Sequence, residues 1–124
     1  MHGHMSQTQK LAAWMAAALL LAGIVPAGAL KLLGNQAMVQ LFAAIGIGQW
    51  FRYVTGALEV GGSILTLIPA TAFWGSALIA CVMMGAIITH LRLMLPNIIT
   101  PITLLALALV ILWLRRPRSG TPSA

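Results

Sequence analysis

Four long apolar segments alternate with short polar or glycine-containing segments along almost the whole chain. The apolar segments run from Leu11 to Leu30, from Gln49 to Leu67, from Thr71 to Leu95 and from Ile98 to Leu114. About 20 apolar residues are enough for a helix to cross the hydrocarbon core of a bilayer, which is roughly 30 Å thick. The pattern therefore predicts an all-α integral membrane protein, a four-helix transmembrane bundle that occupies residues 10–116.

The segment between the first two apolar runs has a different pattern. From Lys31 to Gly48, apolar residues alternate with Asn and Gln side chains at near-helical spacing. The Gly34-Asn35 step is expected to end the first helix before this segment. We predict an interfacial amphipathic helix between the first and second spans, which lies along the membrane surface or folds back between the spanning helices.

The two ends of the chain are polar and are not expected to join the bundle. Residues 1–9 are interpreted as a disordered N-terminus or a cloning remnant, and residues 117–124 as a disordered basic tail. A competing interpretation makes the first apolar run a signal peptide, with Lys10 as its basic start and small residues at 27–29 as its cleavage site. Because the run is long for a signal core, we favour a spanning helix.

Composition supports a membrane protein and argues against a nucleic-acid partner. Hydrophobic residues make up 60% of the chain and charged residues 6%, whereas an ordinary soluble domain carries about a quarter charged residues. The net charge is +6, but the basic residues lie mostly where apolar runs end. A nucleic-acid site needs such charges gathered on one water-facing surface, so we predict no nucleic-acid binding.

Basic residues also predict the orientation in the membrane, because Lys and Arg accumulate at the cytoplasmic ends of spanning helices. One side carries Lys10, Arg115, Arg116 and Arg118, and the other side carries Lys31, Arg52 and Arg92. We therefore predict a multi-pass protein with both termini in the cytoplasm.

Glu59 is the single acidic residue of the chain and lies near the middle of the second apolar run. Ionisable groups in hydrocarbon cost several kcal/mol, so they usually face the interior of a bundle and have partners. Arg52 stands two helical turns before Glu59 on the same face. In an alternating topology Lys31, Arg52, His90 and Arg92 share one membrane half. We expect these four side chains, together with Tyr53, to converge on Glu59.

This polar cluster has three interpretations. In the first, Glu59 pairs with Arg52 or Lys31 to hold the helices together, and His90 donates to a backbone carbonyl. In the second, the cluster forms a pocket that binds the polar head of an amphipathic molecule. The apolar part of such a pocket would be lined by aromatic residues and by Met38, Met83 and Met84. In the third, the same groups form a proton or ion path.

Several chemistries lack the residues they need. Cys81 is the single cysteine, so the chain offers no pair for dithiol exchange and no intrachain disulfide. The apolar segments contain one histidine, which excludes haem ligation by two histidines, and no cluster has the spacing of metal ligands. We predict no metal site and assign no catalytic residue. An electron-carrying group would come from a diffusible ligand or another subunit.

Three sequence blocks carry a family resemblance. Residues 27–32 read A-G-A-L-K-L, residues 50–62 read W-F-R-Y-V-T-G-A-L-E-V-G-G, and residues 67–69 read L-I-P. Together with His90 they resemble the DoxX and DoxX-like family of small bacterial membrane proteins, over roughly residues 11–116. The resemblance implies a four-helix membrane protein whose relatives have been linked to quinone-dependent sulfur oxidation and to membrane complexes that handle oxidative stress.

The resemblance implies that Lys31, Arg52, Glu59 and His90 are pocket residues, and Tyr53 completes the expected ligand-binding set. The leading hypothesis is a bacterial inner-membrane protein that binds a quinone-like or other amphipathic molecule as an accessory component of redox metabolism. No covalent cofactor is expected, and a quinone is the candidate ligand. The expected partners are the lipid bilayer, a redox subunit and further copies of the chain. The alternatives are a small-solute or proton transporter and a non-catalytic assembly factor; whether the protein is an enzyme stays open.

Overall fold

The computed structural model describes residues 5–117. This part of the chain forms five α-helices and no strand: α1 (Gln7–Leu33), α2 (Gln36–Ile45), α3 (Trp50–Leu67), α4 (Ala72–Leu93) and α5 (Ile99–Leu114). The four longer helices form a ring in which α1 and α4 each pack against both α3 and α5. The short α2 contacts α1, α3 and α4. The prediction of an all-α fold is confirmed.

The first helix begins earlier than expected because a local motif caps it. The Ser6 side chain accepts a hydrogen bond from the backbone N–H of Gln9, and the Gln9 side chain accepts one from the backbone N–H of Ser6. This reciprocal pair is a capping box, which satisfies two free N–H groups at a helix start. Residues 7–9, predicted to be disordered, are therefore helical. Residues 1–4 and 118–124, including most of the predicted tail, lie outside the described part.

Two glycines separate α2 from its neighbours. Gly34 ends α1 with φ of 74°, and Gly46 ends α2 with φ of 86°. Glycine adopts this left-handed conformation without the penalty that a Cβ atom imposes. Asn35 then begins α2, since its side chain accepts from the backbone N–H of Ala37 at 3.1 Å. The predicted break at Gly34-Asn35 is confirmed.

The four longer helices differ in how well they match a bilayer. Among the described helices, α1 and α4 are long and apolar enough to cross a membrane by length and composition. The apolar α5 has 16 residues, and α3 has 18 residues that include several polar side chains. At a rise of about 1.5 Å per residue, these two helices are roughly 24 and 27 Å long.

Small and aliphatic side chains of α1, α4 and α5 form the apolar core of the ring. This core consists of Ala16, Ala17, Leu20, Ile24, Ile79, Ala80, Met83, Ala108 and Ile111. It lies between α1, α4 and α5, with leucines of α5 packed against it. Because the described part of α3 adds no residue to this core, its buried face is free to carry polar groups.

Glycines let the backbones of three helices approach closely. A Cβ atom added to Gly75 on α4 would lie 2.7 Å from the carbonyl oxygen of Gly62 on α3. A Cβ atom added to Gly56 on α3 would lie 3.0 Å from the carbonyl oxygen of Gly28 on α1. Small residues permit such contacts in membrane helices. The contacts place α3 between α1 and α4 and bring the end of α1 beside the middle of α3.

Candidate functional site

A buried ion pair joins α1 to α3. The Nζ atom of Lys31, in the last turn of α1, lies 3.0 Å from Oε1 of Glu59. The two side chains are 12% and 2% exposed. The Gly28–Gly56 contact brings the helices together here, since a Cβ atom on Gly56 would lie 3.0 Å from that of Lys31. Sequence reasoning left Arg52 and Lys31 open as partners of Glu59, and the structure pairs it with Lys31.

The Glu59 carboxylate keeps unused capacity to accept a hydrogen bond. Its buried Oε1 atom has the Lys31 ammonium 3.0 Å away, within the distance of a charge-assisted hydrogen bond, and no second donor among the described residues. A carboxylate oxygen has two lone pairs, so Oε1 can accept one further hydrogen bond. Oε1 of Glu59 is therefore a position where a second donor, from outside the described part of the chain, would fit.

Arg52 lies close to this pair but does not contact the carboxylate. Its side chain is 5% exposed. Its Nε–H group donates to Oε1 of Gln49 at 2.7 Å, and its Nη1 group donates to the backbone carbonyl of Lys31. Its guanidinium also stacks over the Tyr53 ring, 4.3 Å from the ring centroid. Arg52 therefore ties the start of α3 to the end of α1 and holds the backbone of Lys31 in place.

Four residues expected at the pocket do not line it: Arg52, Tyr53, Met84 and Arg92. Tyr53 is 52% exposed and Met84 is 55% exposed, and neither lines the internal cavity described below. Each follows a buried residue, Arg52 or Met83, along its helix. One step along an α-helix turns the side chain by about 100°. The helix that buries Arg52 therefore directs the neighbouring Tyr53 outward.

His90 makes the backbone hydrogen bond considered in the first interpretation of the cluster. Its Nδ1 atom lies 2.8 Å from the carbonyl oxygen of Ala86, one turn earlier in α4. A carbonyl oxygen can only accept, so Nδ1 carries the proton and donates. In the neutral ring the other nitrogen, Nε2, is then left as an acceptor. The side chain is half-buried and lines the cavity.

The ion pair and His90 line a cavity of about 820 Å³. All five helices contribute to its wall. The polar lining consists of Lys31, Thr55, Glu59, Thr89, His90, Asn97 and Thr100. The remaining lining is almost entirely apolar and includes Met38, Phe42 and Met83. Sequence reasoning identified the charged residues and these two methionines but missed the threonines and Asn97, because isolated hydroxyl and amide groups carry no distinctive spacing.

The short helix α2 covers one side of the cavity. Five of its residues line the wall: Ala37, Met38, Leu41, Phe42 and Ile45. Phe42 is its buried residue, and the ring centroids of Phe42 and Phe51 are 5.8 Å apart. The Gln49 side chain donates to the backbone carbonyl of Val39 at 3.0 Å. These two contacts hold α2 against the start of α3.

No cluster of three or more His, Cys, Asp or Glu within residues 5–117 could hold a metal ion. The thiol of Cys81 is free and exposed. The chemically distinctive groups of the described cavity are therefore one ion pair, one imidazole and several hydroxyl groups. Such groups bind and orient polar ligands, and they can donate or accept protons.

The fold and this site define a helical protein with two candidate membrane-spanning helices and a charged pair beside a mostly apolar cavity. The model of the DoxX-like family matches residues 11–112, which is most of the chain. The chain belongs to the DoxX-like family, as the sequence blocks indicated. Comparison with curated proteins and with solved structures gave no match.

Proposed function

We propose that this protein binds a quinone-like or other amphipathic small molecule in its cavity, as an accessory component of membrane redox metabolism or of the oxidative-stress response. One observation supports this most directly. The cavity wall contains a buried carboxylate oxygen, Oε1 of Glu59, which lies 3.0 Å from the Lys31 ammonium and has no second donor within residues 5–117. A ligand hydroxyl would fill its remaining acceptor position, and a hydrogen bond to a charged group contributes about 1.5–3 kcal/mol.

The groups around Glu59 suit a head group that both donates and accepts. The Lys31 ammonium has three N–H donors, and a ring carbonyl is a suitable acceptor for one of them. A ring hydroxyl could donate to Glu59 or to the free Nε2 of His90. Met38, Phe42 and Met83 supply adaptable apolar surface for a ring and the first part of a tail. The volume of about 820 Å³ falls in the usual range of small-molecule pockets.

The position of the cavity favours binding over transport. The cavity includes the end of α1, the start of α3, the end of α4 and the start of α5. Beyond it, Leu20, Ile79 and Ile111 are fully or almost fully buried in the apolar core. An open channel needs access from both sides at once, whereas close packing blocks one side here. We therefore place the transport hypothesis second, together with the assembly-factor hypothesis, which does not need a cavity.

For the membrane, we propose that α1, α3, α4 and α5 span a bacterial inner membrane, that α2 lies in the interfacial half, and that both termini are cytoplasmic. Arg115 stacks 5.4 Å from the Trp14 ring at the terminal side. On the opposite side Lys31 and Arg52 are engaged in buried contacts, while Arg92 is exposed. More basic residues that are not engaged in buried contacts therefore lie on the side of the two termini, which supports placing both termini in the cytoplasm. Reporter fusions at the C-terminus, active in the cytoplasm or in the periplasm, test this orientation.

The binding test uses detergent-purified protein and a tailless benzoquinol, kept reduced so that its hydroxyl groups can donate to Glu59 and His90, with affinity measured by calorimetry. We expect Glu59→Gln and His90→Ala each to weaken binding by about tenfold, which is roughly 1.4 kcal/mol. The matched control is Arg92→Gln, an exposed residue of the same helical turn as His90 that does not line the cavity. Unchanged affinity in both cavity variants would remove the proposed site. Solute flux into sealed liposomes would instead support a transporter.

A further inference from the structure

The helices α3 and α4 touch at one end, and both line the cavity toward the other end. They touch where Gly75 meets Gly62, since a Cβ atom on Gly75 would lie 2.7 Å from the Gly62 carbonyl oxygen. Leu58 and Thr55 stand one and two turns before Gly62 on the same face of α3. Both residues line the cavity. The face of α3 that contacts α4 at one end therefore borders open space at the other.

The edge of this space reaches the outside of the ring. Leu58 on α3 is 37% exposed, and Cys81 and Gly85 on α4 are also exposed. All three line the cavity. Cys81 and Gly85 are one turn apart on the same face of α4, and a Cβ atom on Gly85 would meet no atom within 4 Å. Residues that are both exposed and part of the lining mark an opening of a cavity. By the same criterion Ala37, Pro96, Asn97 and Thr100 mark a second opening, beside α2 and the turn between α4 and α5.

The position of this mouth along α3 and α4 decides whether it faces lipid or water. Cys81 lies near the middle of α4, which runs from Ala72 to Leu93, and Leu58 lies directly before Glu59 in the middle of α3. The outward side chains of α4 at this level, including Met84 and Ile88, are apolar and more than half exposed. If α4 spans a membrane, the mouth opens toward hydrocarbon and not toward water.

We propose that the cavity takes a lipid-phase amphiphile through this lateral opening between α3 and α4. The polar head lies at the Lys31–Glu59 pair, and a long hydrocarbon tail leaves between Leu58 and Gly85 into the bilayer. This inference rests on the proposed binding function and narrows its ligand to molecules with a tail longer than the cavity. The tail needs no further protein surface, because lipid solvates it as well as an apolar side chain would.

The experiment compares two probes in liposome-reconstituted full-length protein: a tailless benzoquinol, kept reduced, and the same ring with an octaprenyl tail. Gly85→Trp fills the mouth. Its control is Gly61→Trp, since a Cβ atom at Gly61 also meets no atom within 4 Å but Gly61 does not line the cavity. We expect Gly85→Trp to weaken binding of the long-tailed probe by about tenfold and to leave the tailless probe within about threefold. We expect Gly61→Trp to change neither.

A second pair of variants covers the case in which Gly85→Trp does not fold. Leu58→Trp narrows the mouth from the opposite side, and Ala57→Trp is its control because Ala57 is exposed and does not line the cavity. If both probes bind the wild type and the mouth variants weaken both equally or neither, the lateral opening is disproved while the binding function stands. The same holds if the wild type binds the tailless probe and excludes the long-tailed one. If the wild type binds neither probe, the proposed function itself fails.

Discussion

Lys31 and Glu59 form an ion pair at 3.0 Å that connects the last turn of α1 to the middle of α3. Both side chains line the cavity, and Glu59 is 2% exposed. The pair thus has two roles in this fold: it neutralises a buried charge, and it presents an ammonium and a carboxylate to whatever fills the cavity. Each role leads to a separate measurement.

Removing the Lys31 ammonium alone should lower the free energy of unfolding. Lys31→Met leaves the Glu59 carboxylate buried without a compensating charge, and breaking a buried pair in this way costs about 3–5 kcal/mol. We expect a loss of that order in the free energy of unfolding, measured by denaturant titration in detergent. The double variant Lys31→Met, Glu59→Gln should regain most of the loss because it leaves no unpaired charge.

Lys10→Met is the matched control for this change, since Lys10 is exposed near the other end of α1. It should leave the free energy of unfolding within about 0.5 kcal/mol of the wild type. If Lys31→Met were equally mild, the ion pair would not contribute to stability.

Arg52 should not be replaceable by lysine. Its guanidinium donates to Gln49 and to the Lys31 carbonyl while it stacks over Tyr53, and a single ammonium lacks the planar fork needed to do all three. We expect Arg52→Lys to lower the free energy of unfolding by about 1–2 kcal/mol. Cleavage by protease in the segment 34–49 should become faster, because the start of α3 is less firmly held to α1. Arg92→Lys, at an exposed arginine, should leave both measurements unchanged.

Substitution by alanine should change the stability of the protein in opposite directions at Gly75 and Gly61. A Cβ atom on Gly75 would lie 2.6 Å from the backbone nitrogen of Thr66, so α3 and α4 would have to move apart. We expect Gly75→Ala to destabilise the protein by about 1–3 kcal/mol, as overpacking does. At Gly61 a Cβ atom meets no atom within 4 Å, so Gly61→Ala should be neutral or stabilising by up to about 1 kcal/mol. Thermal unfolding in detergent compares the two, and equal effects would contradict the close helix contact.

The neutral ring of His90 should carry its proton on Nδ1. The 2.8 Å contact with the Ala86 carbonyl requires a donor at that nitrogen. Nitrogen NMR of labelled protein reports the tautomer, and replacing His2 and His4 by alanine leaves His90 as the single histidine. A ring protonated on Nε2 instead would mean that His90 does not offer an acceptor to the cavity.

The sequence by itself determined the helices and most of their ends. The length of the apolar runs and the Gly34-Asn35 step act through neighbouring residues, so they can be recognised without knowing how the chain folds. It also determined that Glu59 needs a basic partner, because an isolated charge among apolar side chains is too costly. The early start of α1 was missed, although Ser6 and Gln9 have the spacing of a capping box.

Only the tertiary structure decided which residues form the site. The predicted topology puts both Lys31 and Arg52 in the same membrane half as Glu59, so either could pair with it. The close approach of α1 and α3 at Gly28 and Gly56 selects Lys31. Rotation of α3 about its axis turns Tyr53 outward, and the folding of α2 against Phe51 covers the cavity. These outcomes depend on how helix surfaces fit together, which involves residues far apart in the chain. No local pattern contains that information.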